Sequence, residues 1–266
     1  MGRKSNPYFQ FKQFTVFHDR CAMKVGTDGT VLGAWVDLEG ARQILDIGTG
    51  TGLIALMLAQ RSQAVNSVAR SHLNAMSAPI DSVTIDAVEL DAAACLQAQE
   101  NVRRSPWADR IYVHHDSIQD YVSRCSQTYD LVVSNPPFFE NVSKAQSEAR
   151  TLARHTDSLS PTDLLQSAAQ LLNATGRLAA IYPCEAAQRF QEQAEAAGFW
   201  CSRKLAIKPT LAGATKRIAM EFSKSKIPNR QDEVPQCLQE KIAIEVAPNQ
   251  YTPEFIALIR DFYLKY

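Results

Sequence analysis

The run LDIGTGTG at residues 45–52 sets Gly48, Gly50 and Gly52 directly behind a short apolar segment, Arg42 to Ile47. An apolar stretch with helical spacing, Leu53 to Ala59, follows at once. Glycines at a strand-to-helix turn allow backbone shapes closed to other residues. They also let a ligand approach the helix N-terminus. A chain built on such a turn is expected to fold as an α/β sheet. The spacing is not the dinucleotide fingerprint, because the third glycine arrives one residue early. No pyrophosphate cradle follows, which argues against a dehydrogenase. The turn points to a nucleotide-type cofactor of another kind.

Strands and helices alternate from there on. Ser82 to Leu90, Ile111 to His114, Tyr129 to Ser134 and Arg177 to Tyr182 read as strands. Ala92 to Arg103, Pro161 to Leu172 and Ala186 to Ala197 read as helices, with Ser160 a cap and Pro161 at the first helical position. Phe199 to Ile207 and Arg217 to Phe222 look like a final strand pair. This rhythm predicts a mostly parallel sheet. Three segments stand outside it: a basic, aromatic arm at 1–24, an insertion rich in Ser, Ala and Asn at 62–81, and an extension at 227–266. The extension carries a candidate strand, Lys241 to Val246, and an amphipathic helix opened by Thr252 and Pro253. All are expected to belong to one domain, 1–266.

Of the 266 residues, 45% are hydrophobic and 21% charged, enough apolar surface to exclude intrinsic disorder. No apolar run reaches the roughly 20 residues of a membrane span, and the N-terminus lacks the apolar core of a secretory signal. A soluble, cytoplasmic protein is expected. The six cysteines are scattered without a Cys-x-x-Cys pair, and His114 and His115 are adjacent and point to opposite faces of a strand, so no disulfide framework or metal site is expected. Net charge is zero, yet residues 203–230 hold eight basic against one acidic, and residues 1–24 five against one. Two basic segments flanking an acidic body predict a contact with a polyanion.

The chemistry sits where strands end. Glu89, closing the strand in AVELD, can accept bonds from both ribose hydroxyls. Asp116, in HHDSI, can meet an adenine amino group. The fourth strand ends in SNPPFF, residues 134–139, where consecutive prolines stiffen the turn and remove two donors. Such a turn can aim the Asn135 side-chain oxygen and the Pro136 carbonyl at one amino group, with Phe138 a flat face for stacking. Carboxyl ends of strands are where open α/β sheets bind their ligands.

Together, LDIGTGTG, AVELD, HHDS and SNPPFF resemble the class I S-adenosylmethionine-dependent methyltransferases that act on amino nitrogens. With KVGTDGTVLGAW at 24–35, the arm FQFKQFTVFHD and the end FIALIRDFYLK, the chain resembles the bacterial tRNA1(Val) (adenine-37-N6) methyltransferases nearly from end to end. The resemblance implies a Rossmann-like seven-stranded sheet with one antiparallel edge strand and helices on both faces. It implies S-adenosylmethionine held by Asp46, Gly48, Gly50, Glu89, Asp116, Ser117 and Asn135, with Thr27 and Asp28 closing over its methionine end. The target amine would meet Asn135, Pro136 and Phe138. The basic segments imply tRNA contacts from Arg3, Lys4, Lys12, Lys204, Lys208, Lys216 and Arg217, joined by Arg150, Arg154 and His155 just past the turn. No metal and no membrane enter the scheme. Other planar amines stay open as targets, in rRNA adenine, guanine N2 or protein glutamine, as does a non-catalytic RNA-binding subunit.

Overall fold

The computed structural model describes residues 6–72, 83–137, 159–224 and 236–266. It opens with an antiparallel hairpin, β1 (Tyr8–Gln10) and β2 (Thr15–Phe17), followed by α1 (Thr27–Trp35). Then come β3 (Gln43–Ile47), α2 (Leu53–His72), β4 (Thr84–Glu89), α3 (Ala92–Arg103), β5 (Ile111–His115), α4 (Ile118–Arg124) and β6 (Tyr129–Ser134). The chain continues through α5 (Pro161–Leu171), β7 (Leu172–Pro183), α6 (Cys184–Ala196), β8 (Trp200–Thr210) and β9 (Arg217–Ser223). It ends in β10 (Leu238–Ala247), β11 (Gln250–Tyr251) and α7 (Pro253–Ile259).

Among the described residues, nine strands form one sheet in the order β11-β10-β8-β9-β7-β6-β3-β4-β5. Strands β3 to β7 are mutually parallel where they pair. Two features differ from the expected seven strands with an antiparallel edge. The antiparallel strand β9 is internal, hydrogen-bonded to β7 on one side and β8 on the other. A short connection from β8 leaves β9 no choice but to run back beside it. The C-terminal extension then adds β10 parallel to β8, and β11 antiparallel to β10, so the sheet gains two strands past the expected edge.

Strand alternation sorts the side chains into two cores. Ile44, Leu131 and Val133 face α1, α2 and α7, together with Phe11 and Val16 of the N-terminal arm. Leu45, Ile47 and Val132 face α4, α5 and α6. Each fully buried apolar side chain of this kind contributes about 1.5–3 kcal/mol. The helix starts follow their local signals. The Ser160 and Thr252 hydroxyls accept from the Asp163 and Phe255 amides at 3.0 and 3.1 Å, each with proline next in the chain.

The order reverses between β3 and β6. Chain connections from these neighbours lead to opposite halves of the sheet, and a crevice opens at their carboxyl ends. Among the described residues no helix is long and apolar enough to cross a membrane.

Candidate active site

The glycine turn behind β3 is locked from below. The amides of Gly48 and Thr49 both donate to the Val88 carbonyl, at 2.9 and 3.1 Å, and the Gly52 amide donates to the Thr49 carbonyl at 2.9 Å. Gly50 has φ +57°, a left-handed shape that side chains disfavour, and a Cβ built on it would meet no atom within 4 Å. The space above this residue is open, and it is a cavity of about 400 Å3.

Glu89 ends β4 beside it. One carboxylate oxygen accepts from the Gly50 amide at 2.7 Å and the other from the Asp91 amide at 2.9 Å. Two backbone donors fix the carboxylate and leave each oxygen a further lone pair. Asp91, Asp116 and Ser117 also line the cavity, as do Gly48, Asn135 and Pro137. Asp116 is ion-paired with Arg124 of α4, and the Ser117 hydroxyl caps that helix. Three carboxylates, one of them paired with Arg124, give the cavity a negative lining. The thiol of Cys21, which also lines the cavity, registers this field: burial, then Glu89, Asp91 and Asp19, push it up to about 11.

The turn after β6 forms the remaining wall. Ser134 is buried, its hydroxyl donating to the Ile47 carbonyl at 2.8 Å, so the ends of β6 and β3 are pinned together just before Asn135. Asn135 is half-buried and Pro136 buried. A Cβ built on Gly29 of α1 would lie 3.7 Å from the Asn135 amide nitrogen and 3.2 Å from Leu53 Cδ2. The first turn of α1 therefore neighbours the Asn135 side chain.

The structure thus brings Gly48, Gly50, Glu89, Asp116, Ser117 and Asn135 to one cavity, and it places other expected residues away from that lining. Asp46 does not line the cavity. Alternation turns it to the α2 face, where it is fully buried and accepts from the Thr49 hydroxyl at 2.6 Å and the Ala55 amide at 3.3 Å. Burial pushes its carboxyl up to about 7. Thr27 and Asp28 lie outside the cavity lining, and the Asp28 carboxylate is held by Arg217 at 2.7 Å.

The basic residues divide in the same way. Lys208, Lys216 and Arg217 lie where β8 ends and β9 begins. Pro183, the last residue of β7, is the register partner of Arg217, so this edge lies on the carboxyl side of the sheet. Arg217 is committed to Asp28, whereas Lys208 and Lys216 make no ion pair among the described residues. Lys204 sits farther down β8 and bonds Gln191 of α6, away from that edge. Lys12 donates to the Arg260 carbonyl at 2.6 Å and so ties the arm to the C-terminal helix. Arg3, Lys4, Phe138, Arg150, Arg154 and His155 lie outside the described residues.

Sequence reasoning missed the wall made by Cys21, Ala22 and Met23, and also Leu90, Gln119 and Leu159. Leu90 and Gln119 lie one and two positions past expected ligands and were within reach of the motif. Nothing in the linear pattern marks residues 21–23, which the docked arm carries to the site.

The chain matches the model of the methyltransferase small domain family over residues 21–191. It is 57% identical to the tRNA1(Val) (adenine(37)-N6)-methyltransferase of Trichodesmium erythraeum, over 97% of this chain and 98% of the relative. With the protein of the same name from Parabacteroides distasonis it shares 42% identity, over 98% and 99%. Among solved structures it resembles a protein of Agrobacterium tumefaciens described as a predicted O-methyltransferase, with a TM-score of 0.56, 15% identity and coverage of 88% of this chain and 96% of the other. It also resembles a T. thermophilus 16S rRNA methyltransferase in complex with AdoMet and guanosine, with a TM-score of 0.51, 16% identity and coverage of 82% and 50%. Both likenesses are in the fold.

Proposed function

Because the chain belongs to the methyltransferase small domain family, and within it to the tRNA1(Val) (adenine(37)-N6)-methyltransferases, we propose that it methylates N6 of adenine 37 in that tRNA. S-adenosylmethionine is the donor in this reading. The observation that carries it is the meeting, at one cavity, of an open glycine turn, a doubly anchored carboxylate and an Asn-Pro-Pro turn.

The residues present fit the donor. Gly50 leaves unfilled space where a Cβ would stand, and Glu89 keeps acceptor capacity for a pair of ribose hydroxyls. Asp91 and Asp116 add negative charge suited to a ligand that carries a sulfonium. Gly48, Gly50, Glu89, Asp116 and Ser117 would hold it. When bound, the donor supplies an electrophilic methyl group.

The chain's own part is placement of the amine. The lone pair of an adenine amine is delocalised into the ring, so the nitrogen is a poor nucleophile while planar. The Asn135 side-chain oxygen and the Pro136 carbonyl, accepting its two hydrogens, favour a pyramidal nitrogen with an available lone pair. They are acceptor dipoles aimed at developing positive charge, on a turn stiffened by two prolines and pinned by Ser134. Once methylated, the nitrogen is acidic and releases its proton without a strong base. Holding the reacting atoms together supplies the rest. A base within a stacked duplex could not reach this turn, so the substrate adenine lies in a loop or is extruded. Lys208 and Lys216 would take backbone phosphates.

The test is transfer from methyl-labelled donor into separated tRNA, rRNA and total protein. Label confined to tRNA, recovered as N6-methyladenosine, is the expected result. Label in rRNA or in protein glutamine would replace this reading with another planar amine.

A further inference from the structure

Asp28 and Arg217 are assigned by the sequence to two different ligands, yet they are bonded to each other. Asp28 lies in the first turn of α1, and Arg217 opens β9. Their side chains meet at 2.7 Å, and the Arg217 guanidinium also donates to the Lys216 carbonyl at 3.0 Å, which sets its orientation. The two are 34% and 36% exposed, so the pair is worth little as bulk stability. Its position is what matters. The residue after Asp28 is Gly29, whose Cβ position would lie 3.7 Å from the Asn135 amide nitrogen, so the first turn of α1 neighbours that side chain. At the other end, Arg217 pairs in register with Pro183 of β7, the strand next to the one that leads into Asn135. The ion pair thus ties the first turn of α1 to the start of β9 at the carboxyl edge of the sheet.

We propose that Asp28 and Arg217 form a positioning pair that holds the first turn of α1 against Asn135, and that neither is a primary ligand of donor or RNA phosphate. The inference rests on the proposed role of Asn135 as acceptor of the target amine. A turn that must hold an amine within a few tenths of an ångström is sensitive to the packing of its neighbour, and misplacement by 1 Å can cost about 100-fold in rate.

The experiment compares Asp28→Asn, Arg217→Gln, the double variant and Arg217→Lys with the parent protein. Each single variant should slow single-turnover methylation by about 10-fold, with KM for tRNA and donor Kd changed less than about twofold. The double variant should be no slower than the singles, since all three lose the same contact. Arg217→Lys should recover most of the rate. Hydrogen exchange without any substrate should quicken at the amides of Thr30, whose bond to the Gly26 carbonyl is 3.2 Å, and of Asn135. A raised KM and a flattened salt dependence in Arg217→Gln alone would make Arg217 an RNA ligand and overturn the proposal. Loss of donor affinity in Asp28→Asn alone would make Asp28 a donor ligand, with the same consequence. Unchanged rate and unchanged exchange would reduce the pair to ordinary surface. If the parent protein transfers no methyl group to tRNA, the functional reading fails by itself, and the exchange measurement still decides the pair.

Discussion

Asp46 shows how one residue can shape the site without lining its cavity. It organises the glycine turn through Thr49 and the start of α2 through Ala55, and desolvation raises its carboxyl to about 7 against an ordinary 3.8. The unfolded chain therefore ionises first, and binds fewer protons than the folded one between those values. Stability is full below about pH 4 and falls as pH rises to about 7. Asp46→Asn should remove that loss, so the difference in melting temperature between variant and parent should grow in the variant's favour from pH 5 to pH 8. Equal differences at both pH values would show an ionised Asp46 throughout. Glu89 is the opposite case, a partly exposed carboxylate held by two amides and facing the cavity. Glu89→Gln should weaken donor binding by about 1.5–3 kcal/mol, the range of hydrogen bonds to charged groups, read by calorimetry. Glu89 was legible in the sequence because a strand-end acid after a glycine turn has a fixed place in such sheets. The burial of Asp46 was not, because its neighbours in sequence do not reveal which face a helix will cover.

At the scale of elements, α1 explains both a missed helix and a tight joint. Residues 29–35 are all buried, so the segment carries no apolar stripe against a polar one, and its periodicity is silent. Its glycines, which lower helix propensity, are there for close approach. A Cβ on Gly33 would stand 3.0 Å from Met57 Sδ and 3.1 Å from Met57 Cβ. The thioether can move, but the Cβ is fixed to α2. Gly33→Ala should cost about 1–3 kcal/mol by overpacking, more than the roughly 1 kcal/mol it gains in helix propensity. The denaturant midpoint should therefore fall, and a midpoint that rises would mean α1 and α2 are not closely packed. The strands after the glycine turn were readable from their apolar runs, as Tyr129 to Ser134 was. The edge of the sheet was not. Whether Trp200 to Thr210 is an edge or an inner strand depends on β10, whose exposed Leu238 and polar neighbours give a weak strand signal.

Across the whole molecule, the two ends of the chain close on each other beside the sheet. Phe11 bridges to Tyr263, the Lys12 amide donates to the Phe262 carbonyl at 2.7 Å, and Phe255, Ile259 and Phe262 are buried in the α2-side core. This docking carries residues 21–23 to the cavity, a long-range event that no local pattern encodes. The charge asymmetry was legible, but its meaning divides by position: Lys12 and Lys204 bond to the protein, and Lys208 and Lys216, at the carboxyl edge, make no ion pair among the described residues. Replacing Lys208 and Lys216 with alanine should lower tRNA affinity and reduce the slope of log K against log salt by about 1–2. An unchanged slope would place the RNA elsewhere. The central claim, an N6 methylation of one loop adenine, is tested most directly with two transcripts of tRNA1(Val), one unaltered and one with guanine at position 37. Incubated with labelled donor, the first should accept one methyl group per molecule, recovered as N6-methyladenosine at position 37, and the second none. Equal labelling of both transcripts, or label on any other atom, would contradict the account.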